Sequence, residues 1–243
     1  MSTFSVADIP DMTDKTVIVT GASSGIGLAV ARALAAVGAR VVFAVRNIEK
    51  GRVVATATTG VTEVRELDLA SLDSVRAFAA GWAGGIDLLI NNAGVSPLSL
   101  ARTADGFEMK FGTNHLGHFA LTNLLLEHIT GRVVTVASQA ERFAHFDIDD
   151  LNWERKPYQS SAAYAQSKLA NLLFTAELQH RLSAAGSGVL ATAAHPGFVA
   201  TNIYTSAGRR PSYLSTAALR LLVVISARSE QVLRRRVSNQ REA

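Results

Sequence analysis

Two clusters of residues in this chain have the types and spacing to do chemistry. The first is TGASSGIG at 20–27, where Gly21, Gly25 and Gly27 lie between an apolar β-branched run and a stretch rich in helix formers. Such a turn needs glycine torsions, lets backbone approach a phosphate closely, and offers the free N–H groups of a helix start to an anion. A dinucleotide suits it. No Gly-Lys-Ser/Thr ending follows, so a nucleoside-triphosphate loop is the poorer reading, and the spacing GxxxGxG also differs from the GxGxxG form. The second cluster is YAQSK at 164–168, which puts Tyr164 and Lys168 on one face of an alanine-rich helical run. Taken alone, that pair is more often a packing tyrosine beside a solvated lysine.

The residues after the glycine turn refine the cofactor. An acid about 20 residues further on would bind the ribose 2′-OH of NAD, whereas an arginine accommodates the 2′-phosphate of NADP. Here the second strand ends Ala44-Val45-Arg46-Asn47, with a cation and no acid. NADP is favoured over NAD, the alternative being Arg46 as an ordinary surface residue.

The elements that must position these residues alternate regularly. Strands are expected at 15–21, 40–46, 61–69, 86–94, 131–138 and 188–197, and helices at 25–39, 71–83, 105–130 and 160–183. Ser71 is a plausible N-cap. Continuous apolar strands between helices mean a parallel sheet covered on both faces. No repeat or low-complexity linker divides the chain, so residues 1–231 read as a single domain.

Composition sets the outer bounds. The 243 residues are 48% apolar and 18% charged, enough to bury a full core. There is no cysteine, which excludes disulfides and cysteine metal sites, and the six histidines show no ligand spacing, so no metal is expected. His115 and His118 read as helix-surface or packing residues. The net charge of +4 comes from residues 209–243, which hold eight arginines against Glu230 and Glu242. No basic face for nucleic acid is expected in the remainder. The N-terminus is polar and acidic without an apolar stretch, and no run reaches the roughly 18 apolar residues of a membrane span. A cytoplasmic protein is the default expectation.

With TGASSGIG, Asp68 after the third strand, NNAG at 91–94, Asn114 in FGTNHLGHF, Ser138 in VTVAS, YAQSK and HPGFVAT at 195–201, the chain resembles the short-chain dehydrogenase/reductase family. These motifs, in this order, span about 200 residues. The stretch DLNWERKPYQSSAAYAQSKLANLLFTAELQHRL and the gap of 26 positions from Ser138 to Tyr164 resemble its retinol dehydrogenase and WW-domain-oxidoreductase-like branch. The resemblance implies a Rossmann-type doubly wound sheet in the order 3-2-1-4-5-6. It also implies roles. Tyr164 would exchange a proton with a carbonyl or alcohol, Lys168 would lower the phenol's pKa and reach the nicotinamide ribose, Ser138 would bind the substrate oxygen, and Asn114 would hold a water beside Lys168. Ser138 as a strand-end cap and Asn114 as a backbone-satisfying residue are the structural alternatives. For the cofactor the family pattern implies Ser23, Ser24 and Ile26 at the phosphates, Asp68 and Leu69 at the adenine, Asn92, Ala93 and Gly94 at the ribose, and Val199 and Thr201 at the carboxamide.

The expected function is hydride transfer between NADP(H) and a lipophilic aldehyde or ketone. The alternative is a catalytically impaired dinucleotide-binding sensor or interaction protein. Phe143, Phe146 and Trp153, within 139–159, are candidates for one pocket wall or for packing of that insertion. Helices 105–130 and 160–183 permit a homodimer of the kind many relatives form. The C-terminus departs from the family: no apolar strand run follows residue 225, and 232–243 is arginine-rich. That end reads as frameshifted or as a genuine amphipathic basic tail, and the seventh strand of the family is expected to be missing or altered.

Overall fold

The computed structural model describes residues 8–195. Six strands form one parallel sheet in the order β3-β2-β1-β4-β5-β6, the expected doubly wound arrangement. The strands are β1 (Thr16–Thr20), β2 (Arg40–Val45), β3 (Thr62–Glu66), β4 (Ile86–Asn91), β5 (Ile129–Val136) and β6 (Leu190–Ala194). The order reverses between β1 and β4, and at such a point the carboxyl ends of the strands open a crevice for a ligand. The expected seventh strand, Val199, Thr201 and the basic tail lie outside the described residues.

Side chains alternate across the sheet, so each strand feeds two cores. Val17, Val19, Val41, Phe43, Leu88, Ile90 and Val134 pack under α1 (Gly25–Ala36) and α2 (Ile48–Thr56). Ile18, Val42, Leu89 and Val133 pack under α3 (Leu72–Ala80), α5 (Gly117–Leu125) and α6 (Ser160–Ala184). The α1 stripe of Val30, Ala31 and Leu34 and the α5 pair Leu121 and Leu125 are fully buried, as amphipathic spacing requires.

Helix α2 is additional to the elements expected from sequence. Asn47 caps it by accepting from the Lys50 amide at 2.8 Å. The helix expected over 105–130 is shorter and composite. Residues 103–106 make a turn, with Gly106 at φ +84° and its amide on the Thr103 carbonyl, and Glu108 bridges back to Arg102. The helix then runs as α4 (Met109–Phe111), one π-helical segment (Gly112–Leu116) and α5, closing with a 3₁₀ turn at Leu126–His128. The fourth strand stops at Asn91, leaving 92–94 as a loop at the crevice.

Candidate active site

The glycine turn joins β1 to α1 at the crevice. Gly21 has φ +68° and Gly25 φ +57°, both left-handed and strained for any other residue. Gly27 has no room for a side chain: a Cβ would stand 2.6 Å from the Gly21 carbonyl oxygen. Ser24 occupies the N-cap position of α1 in extended backbone, yet its side chain makes no capping bond, and the first turn carries no acid. Its helix start is thus shaped for an anion. Ser23 and Ile26 lie half-buried in the same turn. Arg46 is exposed just beyond β2 and makes no ion pair among the described residues.

Asp68 follows β3, where its carboxylate accepts from the Ala70 amide at 2.9 Å and its own amide donates to Ser74 at 2.9 Å. Leu69 differs from its expected neighbour role in one respect. Its side chain is buried in the core, and a Cβ on Gly117 would stand 2.5 Å from its carbonyl oxygen. What Leu69 can present to a ligand is therefore backbone.

The loop after β4 is strapped to β1. The Asn92 and Ala93 amides both donate to Thr20 Oγ1, at 2.9 and 3.0 Å, and Asn92 Nδ2 donates to the Thr20 carbonyl at 2.8 Å. Gly94 faces α6: a Cβ there would lie 3.4 Å from Asn114 Oδ1 and 4.0 Å from Lys168 Nζ.

Asn114, in the π-helical segment, is fully buried. Its Oδ1 accepts from the Val95 amide at 2.8 Å, while Nδ2 donates to the Val95 carbonyl and to Ser167 Oγ, each at 3.1 Å. The carboxamide thus ties the loop to α6. Its backbone carbonyl receives His118 Nδ1 at 2.9 Å. A π segment at such a place is the usual company of a functional site.

Helix α6 brings Tyr164 and Lys168 to the carboxyl end of β5. Lys168 is buried, with Nζ donating to the Val136 carbonyl at 2.9 Å and standing 5.8 Å from the centre of the Tyr164 ring. Burial lowers its pKa to about 8. Tyr164 is 8% exposed, so almost all of the ring is covered. Ser138 follows β5 and is half-buried; its Oγ accepts from the Ala140 amide at 3.3 Å, capping the 3₁₀ turn Gln139–Phe143. The capping role and a free hydroxyl proton coexist in that geometry. Lys168 thus joins Tyr164 to the Gly94–Asn114 side of the crevice and to the end of β5, two residues before Ser138.

The insertion at 139–159 divides its aromatic residues. Trp153 is buried at φ +57°, edge-on to Tyr158 with ring centres 5.4 Å apart, and is a packing residue. Phe143 is 83% exposed and Phe146 half-buried, which leaves these two available to a pocket wall. Sequence reasoning missed the residues that seat this insertion. Glu108 and Lys110 are fully buried at the start of the composite helix. Glu108 accepts from the Tyr158 hydroxyl at 2.9 Å, and Lys110 Nζ donates to the Ser160 carbonyl and hydroxyl at 2.6 and 2.7 Å. Burial, then the Glu108 carboxylate, pushes the Tyr158 phenol well up. The signal was there: two charges two apart within the apolar run FEMKF.

His118 is buried with both ring nitrogens hydrogen-bonded, and His115 is half-buried, so neither takes the helix-surface position that is one of the two expected readings. His115 lies among Phe111, Phe119 and Phe174 in tilted and edge-on contacts, and burial lowers its pKa to about 4. No cluster of three metal-ligating side chains occurs among the described residues. No helix among them is long and apolar enough to cross a membrane.

Comparison with known proteins places this geometry. The family profile for short chain dehydrogenases matches residues 15–211. The chain is 46% identical over 217 residues to retinol dehydrogenase 13 of Homo sapiens, covering 84% of this chain and 65% of that protein. It is 44% identical over 217 residues to retinol dehydrogenase 14 of Homo sapiens, covering 79% and 64%. The matched part thus spans just under two thirds of these relatives' length. Among solved structures, an uncharacterized protein from Mycobacterium paratuberculosis superposes with a TM-score of 0.87 at 49% identity, over 94% of this chain and 82% of that one. A metagenomic short-chain oxidoreductase in complex with NADP gives 0.68 at 25% identity, over 90% and 93%. The chain belongs to the short-chain dehydrogenase/reductase family, in its retinol dehydrogenase-like branch.

Proposed function

We propose that this protein is an NADP(H)-dependent reductase of lipophilic aldehydes or ketones, and a dehydrogenase of the matching alcohols in reverse. The observation that carries the reading is the buried Lys168 ammonium beside the Tyr164 ring, close to Gly94 and Asn114 and bonded to the end of β5 that leads into Ser138. The cofactor, when bound, supplies the hydride. A left-handed Gly21, a Gly27 without room for a Cβ and an α1 start free of acid fit its pyrophosphate, together with Ser23, Ser24, Gly25 and Ile26. Arg46 would meet a 2′-phosphate; Asp68, Leu69 backbone, Asn92, Ala93 and Gly94 would line the adenine and ribose side.

The chain's own residues would do the acid–base work. Tyr164 gives its phenolic proton to the substrate oxygen as hydride reaches the carbonyl carbon, and takes it back in oxidation. An unassisted phenol, with a pKa of about 10, is a poor acid near neutrality. A cation held beside it favours the phenolate and makes the proton available. Ser138 donates to the substrate oxygen while charge builds there, and Asn114 keeps the Val95 backbone and α6 in register for a water beside Lys168. The apolar Phe143 and Phe146 suit an apolar substrate. Phe119, Leu124 and Leu173, exposed on α5 and α6, suit pairing of two copies, which sedimentation would detect.

Titration with NADPH and NADH, followed by turnover of a panel of long-chain aldehydes and retinal, tests the reading. Tyr164→Phe is expected to lose about 10²- to 10⁴-fold in turnover with NADPH affinity retained. Turnover that survives this substitution overturns the mechanism. Tight NADPH binding by the unaltered chain with no turnover of any carbonyl replaces the enzyme by a sensor.

A further inference from the structure

We propose that His118 is a positioning residue that closes a ring of hydrogen bonds around Gly94, coupling the cofactor loop after β4 to the helix carrying Lys168. The inference rests on the oxidoreductase reading and adds to it a residue that touches neither substrate nor reacting atoms. His118 is 1% exposed, and each ring nitrogen has one partner: Nδ1 lies 2.9 Å from the Asn114 carbonyl and Nε2 lies 2.8 Å from Thr20 Oγ1.

Those partners fix the tautomer. A carbonyl oxygen can only accept, so Nδ1 carries the hydrogen and Nε2 is a bare acceptor. Thr20 must then give its single hydroxyl proton to Nε2, in preference to the Ile90 carbonyl at 3.3 Å. Both oxygen lone pairs of Thr20 are left for the Asn92 and Ala93 amides. Hydrogen bonds therefore point one way, from the loop amides through Thr20 and His118 to Asn114. Asn114 in turn grips Val95 through both ends of its carboxamide. The loop is held at 92–93 by Thr20 and at 95 by Asn114, and the imidazole joins the two holders. Gly94, in the middle, is the point that faces Lys168. Such a chain of buried bonds is more rigid than its separate links.

The test uses the full chain with NADPH and, as probe substrate, decanal. Thr20→Val and His118→Leu are each expected to weaken NADPH binding and lower kcat by about 5- to 20-fold, with KM for decanal little changed. The double variant should fall no further than the worse single one, because both break the same ring. Thr20→Ser and His118→Gln, which keep the donor and acceptor, should recover most of the loss. Additive losses, or a folded His118→Leu with unchanged affinity and kcat, overturn the inference. If His118→Leu fails to fold, Thr20→Val carries the test, and its unchanged NADPH affinity overturns it. Nitrogen-15 NMR separates failure here from failure of the oxidoreductase reading. A protein that reduces no aldehyde but shows His118 as the Nδ1–H tautomer, perturbed in Thr20→Val, keeps the ring, whereas an Nε2–H tautomer removes it.

Discussion

The two faces of the sheet end differently. Under α1 and α2 the strands stay apolar to their carboxyl ends: Val17 leads to Val19, Leu88 to Ile90, and Val134 to Val136. Under α5 and α6 the same strands turn polar at the last inward position. Ile18 is followed two residues on by Thr20, Leu89 by Asn91, and Val133 by Thr135, all at most 1% exposed. The helices answer in kind, with His118 and Thr122 on α5 and Lys168, Asn171 and Thr175 on α6, also buried. Asn91 Nδ2 donates to Thr122 Oγ1, but Asn91 Oδ1 and Thr135 Oγ1, on register partners, find no partner among the described residues. Buried polar atoms left so cost stability. One face is thus built to hold the fold, and the crevice end of the other gives up stability to bury polar and titratable groups.

The sharpest way to break this contrast is to remove one group from each face. Lys168→Met should cost about 10²- to 10⁴-fold in turnover. It should leave the melting temperature unchanged or higher, because the ammonium is desolvated in the native state. Leu34→Ala, on the apolar face, should do the reverse. Leu34 is fully buried, so its truncation should cost about 2–5 kcal/mol of stability while kcat is retained. Equal stability losses from the two substitutions would erase the distinction between the faces.

The same contrast explains what the sequence makes legible. Continuous apolar strands and glycines at forced positions are local signals, so the parallel sheet and the turn at 20–27 can be read in one dimension, while the strand order comes through motif resemblance. The four candidate catalytic residues are legible through that resemblance too, because nothing local says that Asn114, 50 residues before Tyr164, will share its crevice. Helix α2 escapes because IEKGRVVAT contains a glycine and β-branched residues; Asn47 supplies the start signal instead. Residues 105–108 look helical by composition, yet Gly106 adopts a left-handed turn and ends that reading. Long-range polar partnerships are the least legible. Glu108 meets Tyr158, and Thr20 meets His118, across 50 and 98 residues, and no periodicity encodes either.

A smaller effect is expected at the insertion, which lies outside both faces. Tyr158→Phe removes the hydroxyl from the buried Glu108 carboxylate but keeps the ring against Trp153 and under Lys110. The bond is to a charged group, so the loss should be about 1.5–3 kcal/mol, seen as a lower melting temperature. If the insertion forms a pocket wall, kcat/KM should fall for long-chain aldehydes more than for propanal. A uniform change across chain lengths would mean that the clamp supports the fold alone.

The gentlest probe of the polar face is pH. Burial lowers the His118 pKa to about 3, opposed by the hydrogen bond to Asn114 and assisted by the nearby Lys168 ammonium and by His115. The His115 pKa is lowered to about 4. An unfolded histidine protonates near pH 6.5, so below that value the unfolded chain takes up protons that the native one refuses. Stability is therefore full above about pH 6.5 and falls as pH drops toward the native values, by at most about 1.4 kcal/mol per pH unit for each histidine. Thermal unfolding of His118→Gln between pH 7 and 5 should show a shallower decline than the unaltered chain, since one of the two linked groups is gone. An unchanged slope would place a charged or solvated imidazole at 118, and the polar face would then be open to water where the structure shows it closed.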